Sequence, residues 1–545
     1  MAGHVHERPP MPTYDLASEP WITAHPLSGS PPTTTGLRDL FLHAHEYADA
    51  ELSFPPASSG LWRLLALFGA RITGLDGCVD LADFAALRAE LLRSNRFDPE
   101  EVSGYFEEWA DRLDLFGPRP WLQDPRLGGA EAQSPKTSGI NKLSWGRPAG
   151  NTQVWLNHTS DLDPRPLPTA MAVHHLVATL YYGASGTCTS RTANGVTASN
   201  TAAGPLRRSL SFHPVGRNLF ESIILNIPFF PVEEGDEISE TPWERDEPRD
   251  PTLPPEPGIG LAGVLTNQFR HAVLLHPSED GSQVIDATVT WGTRSSREHQ
   301  ANHRPPMDPH QIYWINDEGD PSSLRADANR AVWRDLDALL RDRKLAKGTK
   351  TQRPHLFDNL SVGLRGELKN AVRVRVFGFD QDGQARDRQW FTATTPKVLR
   401  WLHEKPAELG DRTAAALALR RIKESNTAAE AVGRALEGAL DRTWKDSGLG
   451  GGSGKSAQAP WTGTGMSEYW SAAERRYWEI VHDDAADGPG NTFVTVALGV
   501  FEATTNAYRH RPRVAEAMYR NRGSLLKHWT RSNPADQTGD TEKTA

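Results

Sequence analysis

Residues 448–456 read GLGGGSGKS, and glycines ending in Gly454, Lys455 and Ser456 are the parts of a phosphate cradle, with backbone N–H groups around an anion and a lysine on its charge. The pattern asks for glycine five residues before Gly454, and position 449 is leucine. It also asks for a buried strand before the loop and a helix N-terminus after it. Here a helical pattern ending near Trp444 comes first and AQAPWTGTG follows, so the run reads as a link between two helices. Histidine clusters fare no better as metal sites. HVHE (His4–Glu7) lies at the terminus, while HAHE (His43–Glu46), His174-His175 and HDD (His482–Asp484) lack partners at ligand spacing, and neighbouring or i,i+2 histidines on a helix point apart. Cys78 and Cys188 stand alone, and there is no Gly-x-Ser-x-Gly elbow. No catalytic residue, metal site or cofactor is predicted.

Binding chemistry is better represented. The net charge is −9, but residues 231–260 hold ten Asp/Glu against two Arg, which leaves the other residues close to neutral. Three basic runs stand out of that remainder: Arg191, Arg207, Arg208 and Arg217 within 187–220; eight Lys/Arg against three Asp in 330–353; and seven Lys/Arg against Glu516 in 506–531. One basic run is ordinarily a solvated face; three in an acidic chain suggest local anion binding. The stretch 186–205, GTCTSRTANGVTASNTAAGP, is small and uncharged apart from Arg191, as suits backbone that approaches a ligand closely. Seventeen tryptophans favour stacking surfaces as well as large cores.

The elements that must position these residues follow from periodicity. An opening strand and turn are predicted over 12–25, and helices over 37–51, 60–71, 80–93, 98–113, 168–182, 217–227 and 322–345. Long loops around short strands occupy 117–168, a loop spans 183–205, and the acidic, proline-rich 231–258 is a surface excursion. Strands are predicted at 261–276 and 283–291. Val372, Val374 and Val376 alternate with arginines, Asp382-Gly383 is a hairpin signal and 388–395 returns, which places Gln384 and Ala385 at an exposed tip. After residue 396 the pattern changes to helices at 396–405, 411–445, 467–484 and 490–529. The predicted fold is α+β, with a large mixed α/β domain over 1–395 and a four-helix bundle with a disordered tail over 396–545. No signal peptide or membrane span is visible, and two isolated cysteines fit a reducing cytosol, so a cytoplasmic protein is expected.

An ordered series of segments resembles one family over nearly the whole length: YDLASEPWI, LWRLLALFGA, KLSWGRPAGNTQVWLNH, GPLRRSLSFHPVGRNLFESIILNIP, PWERD, FGFDQDGQARDRQW and SAAERRYWEIV. The chain resembles the CasA-type large subunit of the type I-E CRISPR surveillance complex, Cascade. The resemblance implies a non-catalytic subunit of an RNA-guided complex that finds the protospacer-adjacent motif (PAM) in double-stranded DNA and starts R-loop formation. It also implies recruitment of a separate helicase–nuclease, and contacts with the guide RNA and with the backbone and small Cascade subunits. No membrane partner is implied.

Carried onto this sequence, the family's wedge falls on Gln384, flanked by Gly383 and Ala385. A side chain forced into a base step unstacks it at a cost of about a few kcal/mol. The family's minor-groove loop falls within 186–205, with Asn194, Gly195, Thr197 and Ser199 as candidates; TANGVTASN stands where relatives carry a run of glycines. A groove-reaching lysine of relatives is replaced here by Arg294 or Arg297. Trp155 and Asn157 are placed near the guide RNA 5′ end, and Arg509, Arg511, Arg513, Arg520 and Arg522 are candidates for phosphate contacts. The competing readings are a nucleotide- or metal-dependent hydrolase using Lys455 or a histidine cluster, and a purely structural scaffold.

Overall fold

The structure, a computed structural model, describes residues 12–529 except 130, 150–157, 233–236, 256–257, 295–305, 317, 341–350, 382–386, 403–413, 450–458, 484 and 487. Its architecture is α+β. Two compact units emerge: Met1–Arg330 with Asp342–Glu404, and Ala331–Arg341 with Lys405–Ala545.

The larger unit is organised around the helix Pro55–Thr73, whose residues are nearly all buried. A helix surrounded by protein on nearly every side has no polar face, so Arg63, its fully buried cation, must find its partners indoors. The guanidinium donates to both carboxylate oxygens of Asp308 at 3.1 Å and to Ser211 Oγ at 2.7 Å. Around this helix lie Leu37–Leu42, Leu81–Ser94, Pro99–Glu108, Thr169–Tyr182 and Leu219–Leu225. A continuous aromatic core that includes Phe41, Phe68, Phe106, Trp121 and Trp243 fills the space between them.

Among the described residues, four three-stranded sheets and one two-stranded hairpin, all antiparallel, complete this unit. In one sheet Leu210–Val215 pairs with Arg373–Gln381, which pairs in turn with Asp387–Thr394. In another, Leu167–Pro168 and His271–Pro277 flank Gln283–Trp291. The two-stranded hairpin is Gly186–Ala193 with Val196–Thr201, where the sequence suggests a loop.

Several elements differ from the sequence expectation. Within 37–51 the helix stops at Leu42, because Tyr47–Glu51 is captured as a strand by Ile22–Pro26. The first part of 261–276 is the helix Gly260–Thr266, buried at every position and therefore without a periodic signal. In place of a helix over 322–345 there are the strand Pro321–Ser323, a turn at Val332–Asp335 and the helix Leu336–Leu340; residues 341–350 lie outside the described ones.

Among the described residues the smaller unit contains four long helices, Ala414–Asp446, Pro460–His482, Thr492–Asn506 and Pro512–Leu526, besides the short Leu336–Leu340. The first, of 33 residues, runs about 50 Å and packs on the other three. The predicted helix at 490–529 is two helices, divided where Arg511 adopts an extended backbone (φ −89°, ψ 118°) ahead of Pro512. Among the described residues of 396–405, only Leu399–Trp401 forms a helical turn, and it groups with the larger unit. The segment 331–341 joins the smaller unit instead: Trp333 is 1% exposed, with its ring 4.5 Å from that of Tyr477 and 6.1 Å from that of Trp470. Beside it Arg334 lies 3.7 Å over the Trp470 ring and pairs with Glu430 at 2.8 Å.

Candidate nucleic-acid interface

The first hairpin turns at Asn194 and Gly195, with φ values of 47° and 77°. Two successive left-handed residues suit the right-handed twist of the strands they join, and Asn-Gly adopts them at low cost. One side of the hairpin is anchored. Cys188, Ala193 and Trp291 form a small core, and the Trp291 indole N–H donates to the Ala198 carbonyl at 3.1 Å. Arg191 is fully buried beneath it. Its guanidinium donates to Asp124 at 2.6 Å, to Gln133 at 2.6 and 2.9 Å and to the Trp291 carbonyl at 3.0 Å. Burial alone would raise the Asp124 carboxyl, but Arg126 and Arg191 outweigh it and hold that group below the usual carboxylate range.

The other face of the hairpin is exposed and carries no charge: Thr192, Thr197 and Ser199, with Asn194 and Gly195 exposed at the turn. Thr192 and Thr197 share a hydroxyl hydrogen bond of 2.9 Å, and the Asn194 amide donates to Asp250 at 2.8 Å. Hydroxyls and amides supply both donors and acceptors. They suit the floor of a minor groove, where bases present acceptors and a single donor, and have no Coulombic pull on phosphate.

The second hairpin has a packed stem. Val374, Val376 and Phe379 are buried along one strand, and Trp390 on the other lies among Phe54, Trp145 and Phe379. The last described pair before the tip is Gln381 with Asp387. Gly383, Gln384 and Ala385 lie at 382–386, outside the described residues. Arg207 forms an ion pair with Asp387, donates to the Tyr182 carbonyl at 2.6 Å and lies 5.2 Å over the Phe379 ring. Arg208 donates to Gln381 Oε1 at 3.3 Å.

The first basic run is therefore not an open anion-binding surface. Arg191, Arg207 and Arg208 are engaged as described, and Arg217 pairs with Glu221, just past the stretch that lacks carboxylates. In the second run Arg334 and Arg353 are paired, the latter with Asp358 at 2.9 Å. The third run is different. Arg509, Arg511 and Arg513 are exposed, and Arg511 lies 6.0 Å from the Tyr508 ring centre. Arg520 pairs with Glu516 and Arg522 with Glu502 at the surface, where such pairs are weak.

Of the remaining candidates, Arg294 is half-buried with its guanidinium 5.3 Å over the Trp291 ring. Arg297, Trp155 and Asn157 lie outside the described residues. The histidine pair has structural roles: His174 meets the Trp21 carbonyl at 2.7 Å, and His175 Nδ1 accepts from the Trp145 backbone N–H at 3.3 Å. Burial pushes His175 down to about 3. The glycine run follows the helix Ala414–Asp446, not a strand, and residues 450–458 lie outside the described ones. No helix among the described residues is long and apolar enough to cross a membrane. Counted along the sequence, Arg207 and Arg208 belong to a charged surface; their role at the hairpin stem depends on pairing between segments about 180 residues apart.

Residues 15–510 match the family model of CRISPR-associated protein Cse1. The CRISPR-associated protein CasA/Cse1 of Thermus thermophilus is 28% identical over 373 residues, 67% of each chain. Among solved structures, a chain of a CRISPR RNA-guided surveillance complex is similar at a TM-score of 0.82 and 46% identity, covering 94% of this chain and 100% of that one. Cse1 of Thermobifida fusca shares the fold at a TM-score of 0.72 and 17% identity, covering 95% of this chain and 98% of its own. With the family model spanning most of its length, the chain belongs to the CRISPR-associated Cse1 family.

Proposed function

We propose that the chain is the large, non-catalytic subunit of a type I-E CRISPR RNA-guided complex. In this reading it recognises the PAM in double-stranded DNA, starts duplex opening and R-loop formation, and recruits the helicase–nuclease. The observation that carries it is the 46% identity, over 94% of this chain, to a chain of an RNA-guided surveillance complex. The exposed, uncharged edge of the 186–201 hairpin supports minor-groove reading by Asn194, Gly195, Thr197 and Ser199, with Arg294 close by. The rigid stem of the second hairpin supports a wedge at Gln384, because a side chain can separate bases only if its own backbone does not yield. Trp155 and Asn157 would meet the guide RNA. Arg509, Arg511 and Arg513 would add phosphate affinity without specificity. Guide pairing would read the remaining sequence.

The test is a gel-shift titration of the guide-loaded complex, with and without this chain, on duplexes bearing an intact or a scrambled motif at two salt concentrations. Tight binding that needs both the chain and the motif is expected. Equal binding without the chain would leave it a scaffold and remove the recognition role.

A further inference from the structure

Residues 202–209 are the chain's direct path from the first hairpin into the sheet that carries the second. The path begins at Thr201, whose hydroxyl donates to the Arg270 carbonyl at 2.8 Å. Gly204 and Leu206 then donate backbone N–H groups to the carbonyls of Gly183 and Tyr181, both at 2.9 Å. A Cβ at Gly204 would come within 2.6 Å of the Tyr181 carbonyl oxygen, so only glycine fits this approach. Arg208 follows with a left-handed backbone, φ 70°, and its carbonyl accepts from the Ala326 N–H at 2.8 Å. At Leu210 the chain enters the strand that pairs with Arg373–Gln381.

The connector also grips what it leads to. Arg208 bonds Gln381 and Arg207 pairs with Asp387, the two residues between which the second hairpin leaves its ladder. Those two stem residues are themselves joined, since the Gln381 amide donates to Asp387 at 2.5 Å. The Arg207 side chain is 3% exposed, whereas that of Asp387 is 45% exposed. A desolvated guanidinium with a charged partner, a carbonyl acceptor and a ring beneath it has little rotational freedom.

We propose that residues 202–209 hold the two hairpins in fixed register, with Arg207 and Arg208 as positioning residues that set where the second hairpin's strands leave the sheet. The proposal rests on the reading of the two hairpins as motif reader and wedge. Under it, recognition at one hairpin places the other at a set base step, and loosening the grip uncouples opening from recognition without abolishing recognition.

The experiment uses the guide-loaded complex containing the full chain. Opening is followed by fluorescence of a base analogue beside the motif, on an intact duplex and on a duplex already unpaired at that step. Initial binding is measured separately on a motif-bearing duplex with no guide match. Arg207→Gln is expected to slow opening of the intact duplex about tenfold, in line with loss of one charge-assisted bond. It should leave initial binding within about twofold and run at the parental rate on the pre-opened duplex. A fold that is merely weakened would not distinguish the two duplexes. Combining Arg207→Gln with Gln384→Ala should slow opening no further than Gln384→Ala alone.

Parental opening by Arg207→Gln, beside slow opening by Gln384→Ala, overturns the positioning role and leaves the wedge standing. Parental opening by Gln384→Ala overturns the wedge reading and this proposal with it. If Arg207→Gln fails to assemble, Asp387→Asn breaks the pair from its exposed side with the same expectation, and parental opening by that variant overturns the proposal.

Discussion

Arginine does opposite things in two regions of this molecule. In the larger unit Arg63, Arg191 and Arg207 are at most 9% exposed, and each has an acidic partner plus further acceptors or a ring beneath it. At the C-terminal end Arg509, Arg511 and Arg513 stand in solvent. A buried guanidinium is tolerable only when its donors are matched, and matched donors are no longer offered to a phosphate. An exposed one keeps its donors available but adds little to stability. Charge counted along a sequence cannot separate these cases; burial can.

The comparison would break most clearly at Arg191. Arg191→Ala leaves the buried Asp124 carboxylate without one of its two arginine partners, and should cost about 3–5 kcal/mol in chemical denaturation. Arg191→Lys should recover only part of this, since an ammonium cannot replace the planar fork. A loss below about 1 kcal/mol would mean the buried arginine is not structural.

Next comes acid. Burial pushes His271 down to about 4, against the opposing hydrogen bond to the Ala184 carbonyl. His174, His213, His276 and His310 are also lowered. These groups are neutral when folded and bind protons more readily when unfolded. Their contribution is therefore present above about pH 6.5 and is lost as pH falls towards 4, with about 3 kcal/mol from His271 alone. Denaturation midpoints between pH 7 and 4 would measure this. A flat profile would show that the buried histidines take up protons without unfolding.

Third, replacing Arg509, Arg511 and Arg513 together by glutamine should weaken duplex binding and make its salt dependence shallower by about 2–3 in the log–log slope. Unfolding should shift by no more than about 0.5 kcal/mol. A large stability loss with unchanged binding would reverse the assignment of the exposed set. The smallest effect is at the turn: Gly195→Ala forces a Cβ onto a φ of 77° and should cost about 1 kcal/mol, read as lower protection of the hairpin amides. Protection equal to the parent would mean that the turn does not limit the hairpin's stability.

What the sequence made legible follows the same physics. The two strands around 382–386 were readable because their apolar residues alternate and the strands pair with each other across a short turn. The helix at 168–182, though buried at nearly every position, was readable because its apolar run is too long for a strand. The 186–201 hairpin lacked apolar alternation, since its inward positions include Arg191 and Cys188, yet Asn194-Gly195 was a visible turn signal. The break before Pro512 is missed in the expectation of one helix over 490–529, although a residue preceding proline avoids the helical region. By contrast, the helix at 260–266 is buried all round and mimics a strand, and the tie from Arg207 to Asp387 had no local signal at all. Of the candidate site, the residue types at the first hairpin were legible, while which arginines would be occupied was not.

The placement of Trp333 has a consequence for synthesis. A chain made from its N-terminus produces this residue 137 positions before Trp470, and further still before Tyr477. At about 5–20 residues per second the indole waits roughly 7–27 seconds for its pocket to exist. The smaller unit thus cannot close as a simple C-terminal addition: a piece of it emerges early, and a ribosome pausing within 405–470 prolongs the exposure of a large apolar ring.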